Sequence, residues 1–102
     1  MSDRLSPETQ RRIEALFTVD KRTEATELLL HECGNNLPSL QNLDEFQLER
    51  FRFAALKLSE GSIEKLRLAI KLAKADWRDL LVAAGFRTQE DHKQWFPSGH
   101  GQ

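Results

Sequence analysis

The fifteen residues DEFQLERFRFAALKL, from Asp44 to Leu58, are apolar around most of a helix circumference. At about 100° per residue, Leu48, Phe51, Ala55 and Leu58 fall on one broad face, with Ala54 at its edge. Phe46 and Phe53 lie on another face, flanked by Arg50 and Lys57 on one side and by Glu49 and Leu56 on the other. A helix packed on one side needs a single apolar stripe. Two faces demand either burial against neighbours on more than one side, or one core face and one face kept for a partner. The segment is therefore the helix that the rest of the chain is expected to wrap, with Leu48, Phe51, Ala55 and Leu58 in the core.

Working outward, helix signals recur and strand signals do not. In SPETQRRIEALF, Ser6 suits an N-cap, Pro7 the first helical position and Glu8 the positive helix end, with Ile13, Leu16 and Phe17 forming a short apolar face. A second helix is expected from about Asp20 to Cys33, with Ala25, Leu28, Leu29 and Cys33 inward. Gly34-Asn35-Asn36-Leu37-Pro38 reads as a stop in which Gly34 takes the left-handed conformation. Leu37, Leu40 and Leu43 should pin the following loop to the core. Asn42 or Asp44 begins the central helix, which ends before Gly61.

Ser62 caps a fourth helix whose Ile63, Leu66, Ala69, Ile70 and Ala73 keep helical spacing to about Lys74. Asp76 with Asp79 starts a fifth, DWRDLLVAAG, stopped by Gly85, and Thr88 with Asp91 starts a short last helix through Trp95 that Pro97 closes. The expectation is an all-α single domain over residues 1–97, of five helices plus a short C-terminal one packed irregularly around the third, with a disordered tail over 98–102.

Composition narrows the classes of function. A chain of 102 residues can close a hydrophobic core without metals or disulfides, and its single cysteine leaves no internal bridge to form. No long uncharged apolar run is present, and MSDRLSPETQRR lacks the apolar centre of a secretory signal, so a cytoplasmic address without membrane attachment is expected. Fifteen basic and sixteen acidic residues balance to a net charge of −1, which argues against a generic polyanion binder. The balance is not local. Asp20 to Glu49 carries seven acids and two bases, whereas Arg50 to Arg78 carries eight bases and three acids. These halves are set either to attract each other within the fold or to present surfaces of opposite sign.

Candidate chemistry is sparse. His31 and Cys33 are two residues apart, so on a helix they point about 200° from each other and cannot share a ligand. Cys33 also sits at a helix C-terminus, which disfavours the thiolate, and it reads as a buried, inert thiol. His92 and His100 lie across Pro97 in a loose end without the companions a zinc site needs. The five glycines fall at helix stops and in the tail, so no phosphate-cradling loop exists. No catalytic residue, metal ligand or cofactor is assigned.

Two surfaces remain. Arg67, Lys71, Lys74 and Arg78, at i, i+4, i+7 and i+11, form one basic stripe if the helix runs on through Asp76. The first reading is a solvated helix face; the alternative is a helix-turn-helix-like surface that meets nucleic-acid phosphates. Phe46 and Phe53, bordered by charges, and Trp95-Phe96 have the makeup of aromatic anchors in a polar rim. The first reading there is cover by the same chain, and the alternative a protein partner or a second copy.

The stretches ECGNNLP, FAALKLS and DWRDLLVAAGF together resemble small bacterial proteins of an uncharacterised all-helical group, over roughly Ile13 to Phe86. That resemblance implies a bacterial, soluble, helical protein and brings no activity, cofactor or site. The functional expectation is a non-enzymatic cytoplasmic interaction or binding module, with nucleic-acid binding second and a small-molecule enzyme without recognisable motif third.

Overall fold

The structure, a computed structural model, describes residues 5–34, 44–88 and 90–97. Six helices follow one another: α1 (Pro7–Leu16), α2 (Val19–Glu32), α3 (Glu45–Ser59), α4 (Ile63–Ala75), α5 (Trp77–Ala84) and α6 (Asp91–Gln94). There is no strand among the described residues. The third helix is the centre: α3 packs against α1, α4, α5 and α6, while α2 bridges α1 and α4.

Short polar side chains begin the helices as their spacing implies. Ser6 accepts from the Thr9 amide, Asp44 from Gln47, Ser62 from Lys65 and Asp76 from Arg78, each satisfying an amide that the first helical turn leaves unpaired. The Asp91 carboxylate likewise reaches back to the amides of Arg87 and Thr88 at 2.8 and 3.0 Å and accepts from the Thr88 hydroxyl. Arg22 closes the end of α1, donating to the Phe17 and Glu14 carbonyls at 3.1 Å each.

The helix stops divide differently from expectation. Gly85 (φ 80°) and Gly61 (φ 84°) are left-handed, and Glu60 (φ 52°) takes that conformation at the end of α3. Gly34 does not. Its lack of a side chain serves close packing, because an added Cβ would meet Arg52 Nη2 and Leu48 Cδ2 at 3.1 Å each. Leu37, Leu40, Leu43, Asn42 and the 98–102 tail lie outside the described residues.

The core gathers Leu5, Ile13, Phe17, Ala25, Leu29 and Cys33 from the N-terminal half with Phe51, Phe53, Ala54, Ala55 and Leu56 of α3. Leu66, Ala69, Ile70, Ala73, Leu80, Leu81, Ala84 and Phe86 complete it. The expected core face of α3 is only partly right: Phe51 and Ala55 are buried, but Leu48 and Leu58 are half-buried, while Phe53 on the other face is 1% exposed. The helix is enclosed nearly all round because α4 and α5 cover one side and α1 and α6 the other.

That enclosure takes charged side chains with it. Glu49 is buried, and its carboxylate accepts from the Ser6 hydroxyl at 2.6 Å and lies 3.9 Å from the Lys93 ammonium. Arg52 is buried, its Nε donating to the Cys33 carbonyl at 3.0 Å and so holding the end of α2 against α3.

Candidate functional site

The basic residues of the sequence do not form one stripe. α4 ends at Ala75, and Asp76 is extended (φ −163°, ψ 108°), so the chain turns before Arg78 can continue the row. Arg78 instead folds back on Asp76, with contacts of 3.1 and 3.2 Å to its carboxylate. The helix-turn-helix alternative loses its continuous basic surface there.

Arg67, Lys71 and Lys74 do share a face, and it borders a groove of about 350 Å³ between α2 and α4. Leu28 and Ile70 form its apolar floor; Glu32, Arg67, Lys71 and Lys74 form its rim. Helical spacing places them: Arg67, Lys71 and Lys74 recur at i, i+4 and i+7 beside the buried Ile70, and Leu28 and Glu32 sit four residues apart on α2. The acidic and basic halves of the sequence meet here, since Arg67 pairs with Glu24 and Lys74 with Glu32. The Lys74 ammonium, donating to Glu32, holds its carboxyl below the ordinary carboxylate range. Between these two pairs stands Lys71, exposed and in no ion pair among the described residues.

A second groove, of about 220 Å³, runs along the opposite flank of α4 and is lined by Leu58, Lys65, Leu68, Ala69 and Leu72. Its walls are almost wholly apolar. Leu68 is 61% exposed although it is a leucine, and Lys65 at the edge is held by Glu60 at 2.8 Å.

The aromatic candidates come together elsewhere, turned toward one another. Phe46 meets His92 edge to face with ring centroids 4.9 Å apart, and Phe53 lies 5.4 Å from His92 and 6.4 Å from Trp95. Phe86 closes the other side of His92 at 6.3 Å. The Arg12 guanidinium sits 4.0 Å from the Phe53 ring centroid and 5.0 Å from that of Phe96. Phe53 is buried, Phe46 and Trp95 are half-buried, and Phe96 is 42% exposed. Phe53 is thus covered by α1, α6 and the segment after α6, whereas Phe46 stays half-buried against His92.

His92, expected in a loose end, is fully buried at the centre of this cluster, because the short α6 docks on α3. Arg12 was also not foreseen. It lies on the inner face of α1, one residue before Ile13 and four before Leu16, and that position is the signal that marked it for burial. Arg52 carries the same signal between Leu48 and Leu56.

Catalytic chemistry finds little to work with among the described residues. His31 is exposed and Cys33 enclosed, and burial pushes the Cys33 thiol up to about 12. Among the described residues no group of three or more His, Cys, Asp or Glu side chains could hold a metal ion, and no helix is long and apolar enough to cross a membrane. Comparison with family models, with curated proteins and with solved structures finds no match to this chain.

Proposed function

We propose that this protein is a non-enzymatic cytoplasmic interaction module that uses the groove between α2 and α4 to bind an acidic, partly apolar segment of another protein. The observation that carries this reading is Lys71, an exposed cation in no ion pair among the described residues, between two paired cations and above the apolar floor of Leu28 and Ile70. An apolar centre inside a charged rim is the anatomy of a protein-binding patch. A carboxylate on the partner gains Lys71 without displacing either internal pair, and an apolar side chain beside it covers Leu28. The cytoplasmic address rests on the single cysteine, which leaves no internal disulfide.

Nucleic-acid binding is the weaker reading. Glu24, Glu32 and Asp76 already neutralise three of the four basic side chains proposed for it, which leaves too few free cations to track a row of phosphates.

Affinity capture from the native cell, run in parallel with the parent protein and Lys71→Glu, tests the reading. A partner retained by the parent and lost by the variant supports it. Partners retained equally by both would place recognition elsewhere, and a low-salt mobility shift of duplex DNA abolished by Lys71→Glu would favour the nucleic-acid reading instead.

A further inference from the structure

His92 is fully buried although it belongs to α6, a helix of four residues. Three rings enclose it: Phe46 and Phe53 of α3, with centroids 4.9 and 5.4 Å from the imidazole, and Phe86 after α5 at 6.3 Å. A cation already stands over each of those rings. Lys93 Nζ lies 5.3 Å from the Phe46 centroid, the Arg12 guanidinium 4.0 Å from that of Phe53, and Lys57 Nζ 5.2 Å from that of Phe86. The aromatic faces that would steady an imidazolium are thus engaged by three like charges.

We infer that α6 is a pH-sensitive latch: a proton taken up by His92 in mildly acidic solution releases α6 and Trp95 from α3 and uncovers Phe53. The latch is independent of the groove between α2 and α4. An imidazolium in this enclosure would lose its hydration and face those cations, whereas an imidazole in water accepts a proton at about pH 6.5. Release therefore takes up a proton. The docked state is fully favoured above about pH 7.5 and progressively less as pH falls below about 6.5.

The acids around the site are engaged by other donors. On α1, Glu8 pairs with Arg12 at 3.0 Å. On α3, Glu49 accepts from the Ser6 hydroxyl at 2.6 Å and lies 3.9 Å from Lys93, and Arg50 and Lys57 add positive charge. After α5 stands Arg87, whose amide with that of Thr88 donates to Asp91 of α6, and Glu90 at the start of α6 is exposed. Hydrogen bonds from Arg12 and from Thr88 hold the Glu8 and Asp91 carboxyls below the ordinary carboxylate range, so both keep their charge down to about pH 5.

Release is local because few contacts hold the segment. Among the helices α6 packs chiefly on α3, and its polar anchors are the bonds from Arg12 to the Trp95 carbonyl and the Lys93–Glu49 pair. A single turn of helix does not persist in water without such a surface. The packing of α3 against α4 and α5 uses none of these contacts.

Native-state amide exchange of the whole protein is the test. The Lys93 and Trp95 amides, which bond to Glu90 and His92, are followed at pH 7.5 and 5.0 beside those of residues 51–56 in α3, each rate divided by its intrinsic rate. Protection at Lys93 and Trp95 is expected to fall about thirtyfold between the two pH values and to stay at least about tenfold below that of residues 51–56 at both. His92→Phe fills the site with a ring that takes no proton and should abolish the dependence. His92→Gln should abolish it too, with α6 held more weakly at both pH values.

Protection in the parent that is equal at pH 7.5 and 5.0 overturns the inference. So does an undiminished dependence in both variants, which would assign it to a carboxylate such as that of Glu49. Equal protection of α6 and residues 51–56 would mean that α6 leaves only with the whole fold, and overturns the latch. If neither variant docks α6 at pH 7.5, the imidazole carbon resonances of the parent decide: His92 becoming charged only as protection falls supports the latch, and His92 becoming charged while both amides stay protected overturns it.

Discussion

Arg12 is the side chain on which the C-terminal segment is expected to depend, and Arg12→Ala measures that dependence. The guanidinium is buried, and its Nε and Nη2 donate to the Trp95 carbonyl at 3.1 and 2.9 Å. Nη1 donates to the Glu8 carbonyl at 2.8 Å, and the planar group lies over Phe53. Hydrogen bonds from a charged donor contribute about 1.5–3 kcal/mol, and a desolvated cation over an aromatic face with its buried stem adds about 1–2 kcal/mol. Relieving the desolvation of the guanidinium returns part of this, which leaves a net loss of about 2–3 kcal/mol.

Urea unfolding followed by tryptophan fluorescence reads that loss as a midpoint lower by roughly 2 M, since a protein this small has a slope near 1–1.5 kcal/mol per molar. Arg12→Lys keeps the charge but not the fork, so one ammonium cannot serve both carbonyls while covering the ring. It should recover less than half of the loss. Native-state amide exchange adds a local readout: protection at Lys93 and Trp95, whose amides bond to Glu90 and His92, should fall further than protection in α3. A loss below about 0.5 kcal/mol for Arg12→Ala, or a loss spread evenly over the protein, would show that α6 is held by the aromatic contacts alone.

Two further measurements test the packing. Gly61→Ala places a Cβ 2.6 Å from the Leu16 carbonyl oxygen at a φ of +84°, so a loss of about 2 kcal/mol or more is expected in the same unfolding assay, and a neutral result would refute the close approach of α1 to the turn after α3. Cys33 should resist a thiol reagent in the folded protein at neutral pH, and rapid labelling would contradict its enclosure. Its thiol also sets a pH dependence. Burial raises it from an ordinary value near 9.0 to about 12, so between those values the unfolded chain releases a proton that the folded chain keeps. Stability from this group is complete below about pH 9 and falls as pH rises toward 12, by up to about 1.4 kcal/mol per unit. The slope in Cys33→Ala should be shallower over that window; equal slopes would refute the shift.

Much of the helical order was legible because its signals are local. Ser6, Asp44, Ser62 and Asp76 mark helix starts through contacts made within three residues, and Gly85 marks a stop through its own backbone freedom. Gly34 shows where local reading fails, since its lack of a side chain answers to Arg52 and Leu48 on another helix rather than to its own turn. The basic row was half legible: the spacing of Arg67, Lys71 and Lys74 predicts a common face, but the break at Asp76 removes Arg78 from it. The floor of Leu28 and Ile70 was not legible as a site, because it exists only where two helices lie side by side.

The amino-acid sequence by itself determined the helix order, the caps, the central place of the Asp44–Leu58 segment and the opposition of an acidic and a basic half, since each follows from periodicity, composition or neighbours a turn away. Tertiary structure alone decided what each face does. Phe53 is interior because α1 and α6 close over it, and His92 is interior because a four-residue helix, too short to stand on its own hydrogen bonds, is fixed by the surface it covers. The acidic half reaches across to Arg67 and Lys74 and leaves Lys71 outside those pairs beside the exposed Leu68. Which charges cancel depends on which helices touch, and that is set by packing between residues some forty positions apart in the chain.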